Sequence, residues 1–462
     1  MPGSEEIAVV WFRRDLRLDD NPAWAAATSE RRAVVPLFVV DPRLLDGVGP
    51  YRRRQLLATV QALDYDLFDR VGGRLLVRVG DPAVVVPQIV ARYRAGSLYL
   101  NADVSAFAAR RDSRVAKALD VPVQSFYGTL VHPPGSVVTT KGTLSKVFGS
   151  FFKTWRRMPL DPWPEPGDAV VLDHPGEPLP ALDGPAPVPE GEREARARLE
   201  AFASIVDHYG DDRDRLDRPA TSRLSVDLRY GTLSPRTVLE VVGDTTPGRE
   251  AFVRQLAWRD WFAHLLAEMP SLRDREVKRV YEGMPWRNDP VEIAAWKGGF
   301  TGIPIIDAGM RELRETGWMP NRVRLLCASF LVKNLLVDWR IGERHFRHLL
   351  VDGDVAQNVG NWQWVAGTGL DAAPFNRVFN PVTQARRHDP EGTYVRRWVP
   401  ELAGLEGARV HAPWELDPEE LLRSGVRLGD DYPTPIVDLA ESRARALEAY
   451  ALVRGTGNAT GG

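Results

Sequence analysis

The chain has 462 residues, 44% of them apolar and 26% charged, with 60 lysines and arginines against 62 acids for a formal charge of −2. That length predicts two to four domains, each large enough to bury its own core. A single cysteine, Cys327, excludes a disulfide framework and a thiolate metal site and suits a reducing cytoplasm, while the lack of any apolar run of about 18 residues excludes a membrane span.

The N-terminus, Met1-Pro2-Gly3-Ser4-Glu5-Glu6, is acidic and runs into a strand-like stretch, so it is not expected to be a signal peptide. Through residue 130, short β-branched runs alternate with helix-like runs. Residues 7–12, 34–40, 75–79, 98–101 and 121–126 read as strands; 23–30, 51–71, 82–94 and 105–119 read as helices. Asp81-Pro82 supplies an N-cap followed by proline at the first helical position. Continuous apolar strands alternating with helices predict an α/β domain over 1–130, built on a doubly wound parallel sheet. Ligands of such sheets sit beyond the carboxyl ends of the strands. No G-x-G-x-x-G follows the first strand, so the usual dinucleotide fingerprint is missing.

Residues 131–191 read as a long Pro-rich acidic linker: 10 of the 36 prolines fall between 159 and 189. Residues 161–217 carry 15 acids and 5 basic residues, a net of −10, whereas 221–400 carry 25 basic residues and 21 acids, a net of +4. The near-neutral total thus averages an acidic linker with a mildly basic domain. From 192 to 454 the pattern is all-helical, with three- and four-residue apolar spacing at 249–268, 305–316, 321–337 and 342–351 and a stop at Gly317. The last eight residues, 455–462, are expected to form a disordered tail.

Nine of the 14 tryptophans lie between Trp258 and Trp398. Most fit ordinary packing, but Trp362 and Trp364, two apart, point in different directions, so one core cannot hold both. One can face a buried cofactor and the other a cleft. Asp352 and Asp354 lack the further oxygens of a calcium loop. They can instead bind the N–H edge of a ring cofactor, with Arg324 as a candidate cationic partner. Thr221, Ser222, Arg223, Leu224 and Ser225 form either a helix cap or a phosphate-binding turn. Gln255, Trp258 and Arg259 share one helix face, an amide, a stacking plate and a cation that would grip a flipped base. Arg386, Arg387 and His388, with Arg396 and Arg397, bracket a turn; such pairs are ordinarily solvated, yet they can also position a DNA backbone. His345 and His348 lack a third ligand and read as helix surface. Cys327 lies in an apolar run and reads as inert core.

Six blocks together resemble the photolyase/cryptochrome family, most closely its bacterial class I cyclobutane pyrimidine dimer photolyases: TSRLS at 221–225, WRD at 258–260, TGW-MPNR at 316–322, DGD at 352–354, NWQW at 361–364 and FNPVTQ at 379–384. The likeness runs from Val9 to Val437. It implies an α/β antenna domain, a long linker, and a helical catalytic domain that binds folded FAD and damaged DNA. Carried over by motif, Tyr209 and residues 221–225 would hold the FAD phosphates, with Arg259 beside them. Asp352 and Asp354 would hold the ring and ribose region, Arg324 would pair with Asp352, and Asn358 would face flavin N5. Trp362, Trp339 and Trp286 match an electron-transfer chain from flavin to surface. Trp258 and Trp364 match the indoles that sandwich the dimer, beside Gln255, Asn321, Arg322 and Leu325. Arg213 and Gln384 match DNA-contacting positions, with Arg387 and Arg397 added from the basic pairs.

The implied reaction is light-driven splitting of a flipped-out dimer by an electron from excited, reduced FAD. Three positions depart from the usual pattern: Gln255 stands for a glutamate, Leu325 for a methionine and Asp260 for a glutamate. The histidine pair of (6-4) photolyases is replaced by Asn321 and Leu325. A second, antenna chromophore is implied; Asp103, with Arg52 as a second contact, resembles the deazaflavin type more than the methenyltetrahydrofolate type. The competing readings are a cryptochrome-like photoreceptor without repair and a (6-4) photolyase. Retention of Trp258 and Trp364 and a short tail favour repair, by a monomer without membrane association.

Overall fold

The computed structural model describes residues 6–459, the last five as backbone only. They form two compact units, one running through Gly210 and again over Ser222–Pro270, the other comprising Asp211–Thr221 and the chain from Ser271 onward.

The first unit is built on β1 (Ile7–Phe12), β2 (Ala33–Val40), β3 (Leu76–Val79), β4 (Ser97–Asn101) and β5 (Val123–Phe126), all parallel in the order β3-β2-β1-β4-β5. The expected strands are all present, within two residues at their ends. Helices α1 (Pro22–Glu30), α2 (Pro50–Val71), α3 (Pro82–Tyr93) and α4 (Ala106–Lys117) alternate with them. Every residue of β1 and β2 is buried, because both faces carry a core. Successive residues of β1 alternate between the two: Ala8, Val10 and Phe12 enter one, and Ile7, Val9 and Trp11 the other. Asp81 caps α3 by accepting from the Ala83 N–H, with Pro82 first in the helix. The order reverses between β1 and β4, which marks the topological switch point of the sheet.

The proline-rich stretch is less irregular than its composition suggests. It is preceded by α5 (Phe148–Arg157), and β6 (Val170–Val171) pairs with β2 alongside Ala33 and Val34. The sheet-bearing unit also extends well past residue 130, taking in α6 (Glu192–Ala203), α7 (Ser225–Tyr230), α8 (Pro235–Val242) and α9 (Pro247–Glu268). Polar anchors in this unit explain the extension. Asp260, fully buried, accepts from the N–H groups of Val131 and His132 and from Trp155 Nε1 at 2.9–3.2 Å. Arg198 makes a bidentate pair with Asp227.

The second unit is helical: α10 (Pro290–Gly298), α11 (Pro304–Thr316), α12 (Asn321–Ser329), α13 (Trp339–Leu349), α14 (Val355–Ala366), α15 (Pro381–His388), α16 (Thr393–Trp398), α17 (Pro418–Arg423) and α18 (Leu439–Ala459). Gly317 ends α11 in the left-handed conformation. The stretch at 321–337, expected as one helix from its apolar spacing, is broken. After α12 the chain makes a wider π turn over Phe330–Asn334, and Leu336 takes a positive φ of 51°. This turn buries Lys333, whose ammonium donates to the Ala366 and Phe375 carbonyls. Helix α18 continues to Ala459, into the stretch expected as a tail; residues 460–462 lie outside the described residues. No helix among the described residues is long and apolar enough to cross a membrane.

Candidate functional site

A cleft opens in the helical unit among α12, α13 and α14. Its lining divides by chemistry. Leu325, Ala328, Phe346, Leu350, Trp362 and Val365 supply apolar and aromatic walls, while Asn321, Arg324, Asp352, Asp354, Gln357, Asn358 and Asn361 supply polar groups.

Local sequence places these groups. Asp354 caps α14 by accepting from the Gln357 N–H at 3.1 Å, and Gly367 ends that helix with a φ of 81°. The cap sets the phase of α14, so Asn358, Trp362 and Val365, at i, i+4 and i+7, fall on the cleft face. Asp352, two residues before the cap, is buried. Arg324 reaches it from α12 with two hydrogen bonds, 3.1 and 2.8 Å, and spends its Nε on the Met319 carbonyl at 2.8 Å. A buried carboxylate needs such a partner, and the bidentate fork fixes its plane.

Asn358 is oriented by a residue the sequence reading missed. Its amide nitrogen donates to both the backbone carbonyl and the carboxylate Oε1 of Glu343, each at 3.0 Å. Both amide hydrogens are therefore spent, and Asn358 meets a ligand through Oδ1 as an acceptor. Burial pushes the Glu343 carboxyl above the usual range; the Arg347 charge and the Asn358 bond only partly offset this. A signal was available: Trp339, Glu343 and Phe346, at i, i+4 and i+7, form the buried stripe of α13, and an acid on an apolar stripe calls for a partner.

Trp362 is 2% exposed. Its ring packs edge-on against Phe346 at 5.0 Å and Trp296 at 6.3 Å between centroids. Gly342 on α13 makes room for it: a Cβ there would lie 2.1 Å from the indole. Trp339 is fully buried with its Nε1 toward Glu276, and Trp286 is half-buried, edge-on to Tyr450 at 6.4 Å. Trp364, two residues beyond Trp362, is half-exposed. His345, expected on a helix surface, is half-buried against Trp296, and burial draws its imidazole down to about 4. Cys327 is buried, with burial pushing its thiol up.

Among the remaining expected site residues of this unit, Asn321, Leu325 and Asp354 line the cleft, and Arg322 stands between the first two on α12. Arg213, Thr221 and Gln384 are partly exposed, and Arg387 and Arg397 are exposed. In the first unit, Ser222 Oγ accepts from the Leu224 N–H and Arg223 takes a φ of 54°, a tight turn that enters α7 at Ser225. Tyr209 packs edge-on against Phe202 and Phe252. Gln255 and Trp258 are half-buried on α9; one face of the Trp258 indole stacks on Phe148 at 3.7 Å. Arg259 spends donors on the Thr129 and Leu228 carbonyls, so these bonds tie a turn and α7 to α9.

Asp103 lies just past β4, at the switch point. Burial alone would raise its carboxyl, but the Arg14 guanidinium at 2.8 Å and the Ser105 N–H outweigh it and hold the group well below the usual range. Arg52 sits near the start of α2 on the same carboxyl-end side of the sheet, 9% exposed, its carbonyl accepting from Tyr230.

A parallel-sheet unit and a helical unit holding an aromatic, carboxylate-edged cleft define a two-part flavoprotein architecture. Residues 8–167 match the family described as DNA photolyase, and 252–452 match the FAD binding domain of DNA photolyase. The chain is 43% identical to the deoxyribodipyrimidine photo-lyase of Streptomyces griseus, over 96% of this chain and 99% of that one. A class III photolyase from Agrobacterium tumefaciens superposes with a TM-score of 0.91 at 34% identity, covering 98% and 99% of the two chains. A Synechocystis sp. PCC6803 cryptochrome gives 0.87 at 31% identity, covering 97% and 100%. The chain belongs to the photolyase/cryptochrome family. The FAD-binding match takes in the end of the first unit and most of the helical unit, and the cleft suits a flavin: apolar walls for the ring faces, and Asp352, Asp354 and Asn358 for its polar edge.

Proposed function

We propose that this protein is a lyase that repairs cyclobutane pyrimidine dimers in DNA using light. The observation that carries the reading is the cleft, where Trp362, Asn358 and the Arg324–Asp352 pair meet, in a chain similar over nearly its whole length to a deoxyribodipyrimidine photo-lyase. Reduced FAD, when bound, supplies one electron under light and recovers it after the ring has opened, so no net redox change accrues.

The protein supplies geometry and electrostatics. Asp352, braced by Arg324, accepts from the polar edge of the ring, and Asn358 presents an acceptor oxygen held by Glu343. Tyr209 and the turn over Thr221 to Ser225 are assigned to the phosphates by resemblance. Trp258 and Trp364 stack the dimer, with Gln255, Asn321 and Leu325 beside it; extrusion is cheap because a damaged pair is already weakened. Arg213, Arg387 and Arg397 neutralise the DNA backbone and Gln384 hydrogen-bonds to it, while Arg322 faces the DNA on the substrate side, beside the dimer. Trp362, Trp339 and Trp286 carry oxidising equivalents outward, since indole rings are oxidisable without a metal. Asp103, with Arg52, is the proposed contact of a deazaflavin-type antenna. The single, buried cysteine accords with a cytoplasmic setting.

The test is repair of thymine-dimer DNA by purified, FAD-reduced protein under blue light, against a dark control. Loss of dimers only in light is expected; no light-dependent loss refutes the proposal. The Synechocystis cryptochrome likeness favours a second reading, a blue-light receptor without repair. That reading requires light-driven flavin reduction with no dimer loss. A (6-4) lesion in parallel decides lesion choice.

A further inference from the structure

Two arginines on α12 differ in how far their donors are committed. Arg324 is locked, with Nε on the Met319 carbonyl and both terminal nitrogens on Asp352. Arg322 has one ion-pair partner among the described residues, Asp214, and its Nε is buried without a hydrogen bond. Its side chain is 17% exposed. A half-buried guanidinium with an unspent donor is costly unless a second acceptor completes it. Asn321, next in the chain, lines the cleft, so Arg322 stands one residue along α12 from that lining.

Asp214 comes from Asp211–Thr221, the short stretch that belongs to the helical unit. Two other acids of that stretch are neutralised within it, Asp217 by Arg215 and Asp212 by Arg218. Asp214 alone among these reaches out of the stretch to α12. The stretch is also pinned to α15 by the Leu216 N–H on the His388 carbonyl at 2.9 Å, so the carboxylate is held from a fixed backbone.

We infer that Asp214 is a positioning residue: it orients Arg322 so that the remaining donors of the guanidinium meet a phosphodiester of the extruded dinucleotide. Asp214 does not itself touch DNA. Its negative charge also offsets Arg322 when no phosphate is placed to complete the fork, as on undamaged duplex. Discrimination for damaged DNA thus gains twice, by orientation and by suppression of unspecific attraction. The inference rests on Arg322 facing DNA, as proposed above.

The experiment measures binding of the FAD-loaded protein to dimer-containing and undamaged oligonucleotides across a salt series, for wild type, Asp214→Asn, Asp214→Glu and Arg322→Gln. Asp214→Asn is expected to weaken dimer binding about tenfold, the scale of one charge-assisted hydrogen bond, while undamaged binding stays level or strengthens. Asp214→Glu restores part of the preference. Arg322→Gln lowers the salt slope for dimer DNA by about one phosphate contact. A parallel loss on both DNAs, or an unchanged preference in Asp214→Asn, overturns the role of Asp214 while leaving the repair reading intact. No preference for dimer DNA in the wild type overturns both. An unchanged salt slope in Arg322→Gln overturns the placement of Arg322 and this inference with it.

Discussion

Replacing Gly342 by alanine should invert an ordinary rule. In a helix interior glycine is less stable than alanine by about 0.5–1 kcal/mol, because it loses more backbone entropy on folding. Gly149, in the first turn of α5, shows the open situation: an added Cβ meets nothing within 4 Å, so Gly149→Ala should gain part of that amount. At Gly342 the added Cβ would lie 2.1 and 2.5 Å from two atoms of the Trp362 ring and 2.6 Å from a Leu331 methyl. Carbon atoms pack at about 3.5–4.0 Å, so the indole must retreat by more than an ångström. Overpacking of this kind costs about 1–3 kcal/mol, which offsets or outweighs the helix gain and leaves a net loss of up to about 2.5 kcal/mol. The displaced ring belongs to the wall of the cleft, so flavin retention should fall as well. Urea denaturation gives the stability, near-ultraviolet circular dichroism reports the indole environment, and the flavin-to-protein absorbance ratio reports loading. Gly342→Ala gaining stability as Gly149→Ala does, with an unchanged near-ultraviolet spectrum, would refute the argument that this glycine exists to admit Trp362.

A double-mutant cycle on Arg324→Met and Asp352→Asn should give a coupling of about 2–3 kcal/mol by urea denaturation. That is below the 3–5 kcal/mol scale for breaking a fully buried pair, because the Arg324 side chain remains 24% exposed; additive single variants would reject the pairing. Trp286→Phe should slow light-driven flavin reduction while sparing repair by pre-reduced protein, and unchanged photoreduction would remove Trp286 from the relay. Lys333 is drawn from its usual 10.5 down to about 7 by burial. The unfolded chain therefore binds more protons between those limits, so wild-type stability should rise with pH from about 7 to about 10.5, by up to about 1.4 kcal/mol per unit. Lys333→Met should lack that slope across a pH series of denaturation curves; equal slopes in the two proteins would mean that the amine is not desolvated.

Local pattern was enough for much of this protein. The runs that became β1, β2 and β4 are buried throughout because these central strands are covered on both faces, and their apolar character is readable without a partner strand, whereas the edge strands β3 and β5 carry Arg78, Gln124 and Ser125. Helix stops such as Gly317 and the Asp81-Pro82 start are equally local, set by left-handed backbone and by orphan N–H groups. The DGD and NWQW blocks identified the cleft wall, since their residue types are chemically unusual at that spacing.

Other features depended on contacts remote in sequence. The π turn at 330–334 interrupts a stretch of helical apolar spacing, and there the Ala366 and Phe375 carbonyls accept from Lys333. Asp260 looked like a shortened family glutamate; folding makes it the acceptor for three donors from residues 131, 132 and 155. The vacancy for Trp362 is made by Gly342, twenty residues earlier, and Asn358 is aimed by Glu343 on the neighbouring helix. Sequence alone determined which residues had the chemistry for a flavin and a base pair, because residue type and spacing are local. Which of them are braced, spent or left with donors to offer was decided only by tertiary structure, because a hydrogen-bond partner is a property of place and not of position in the chain.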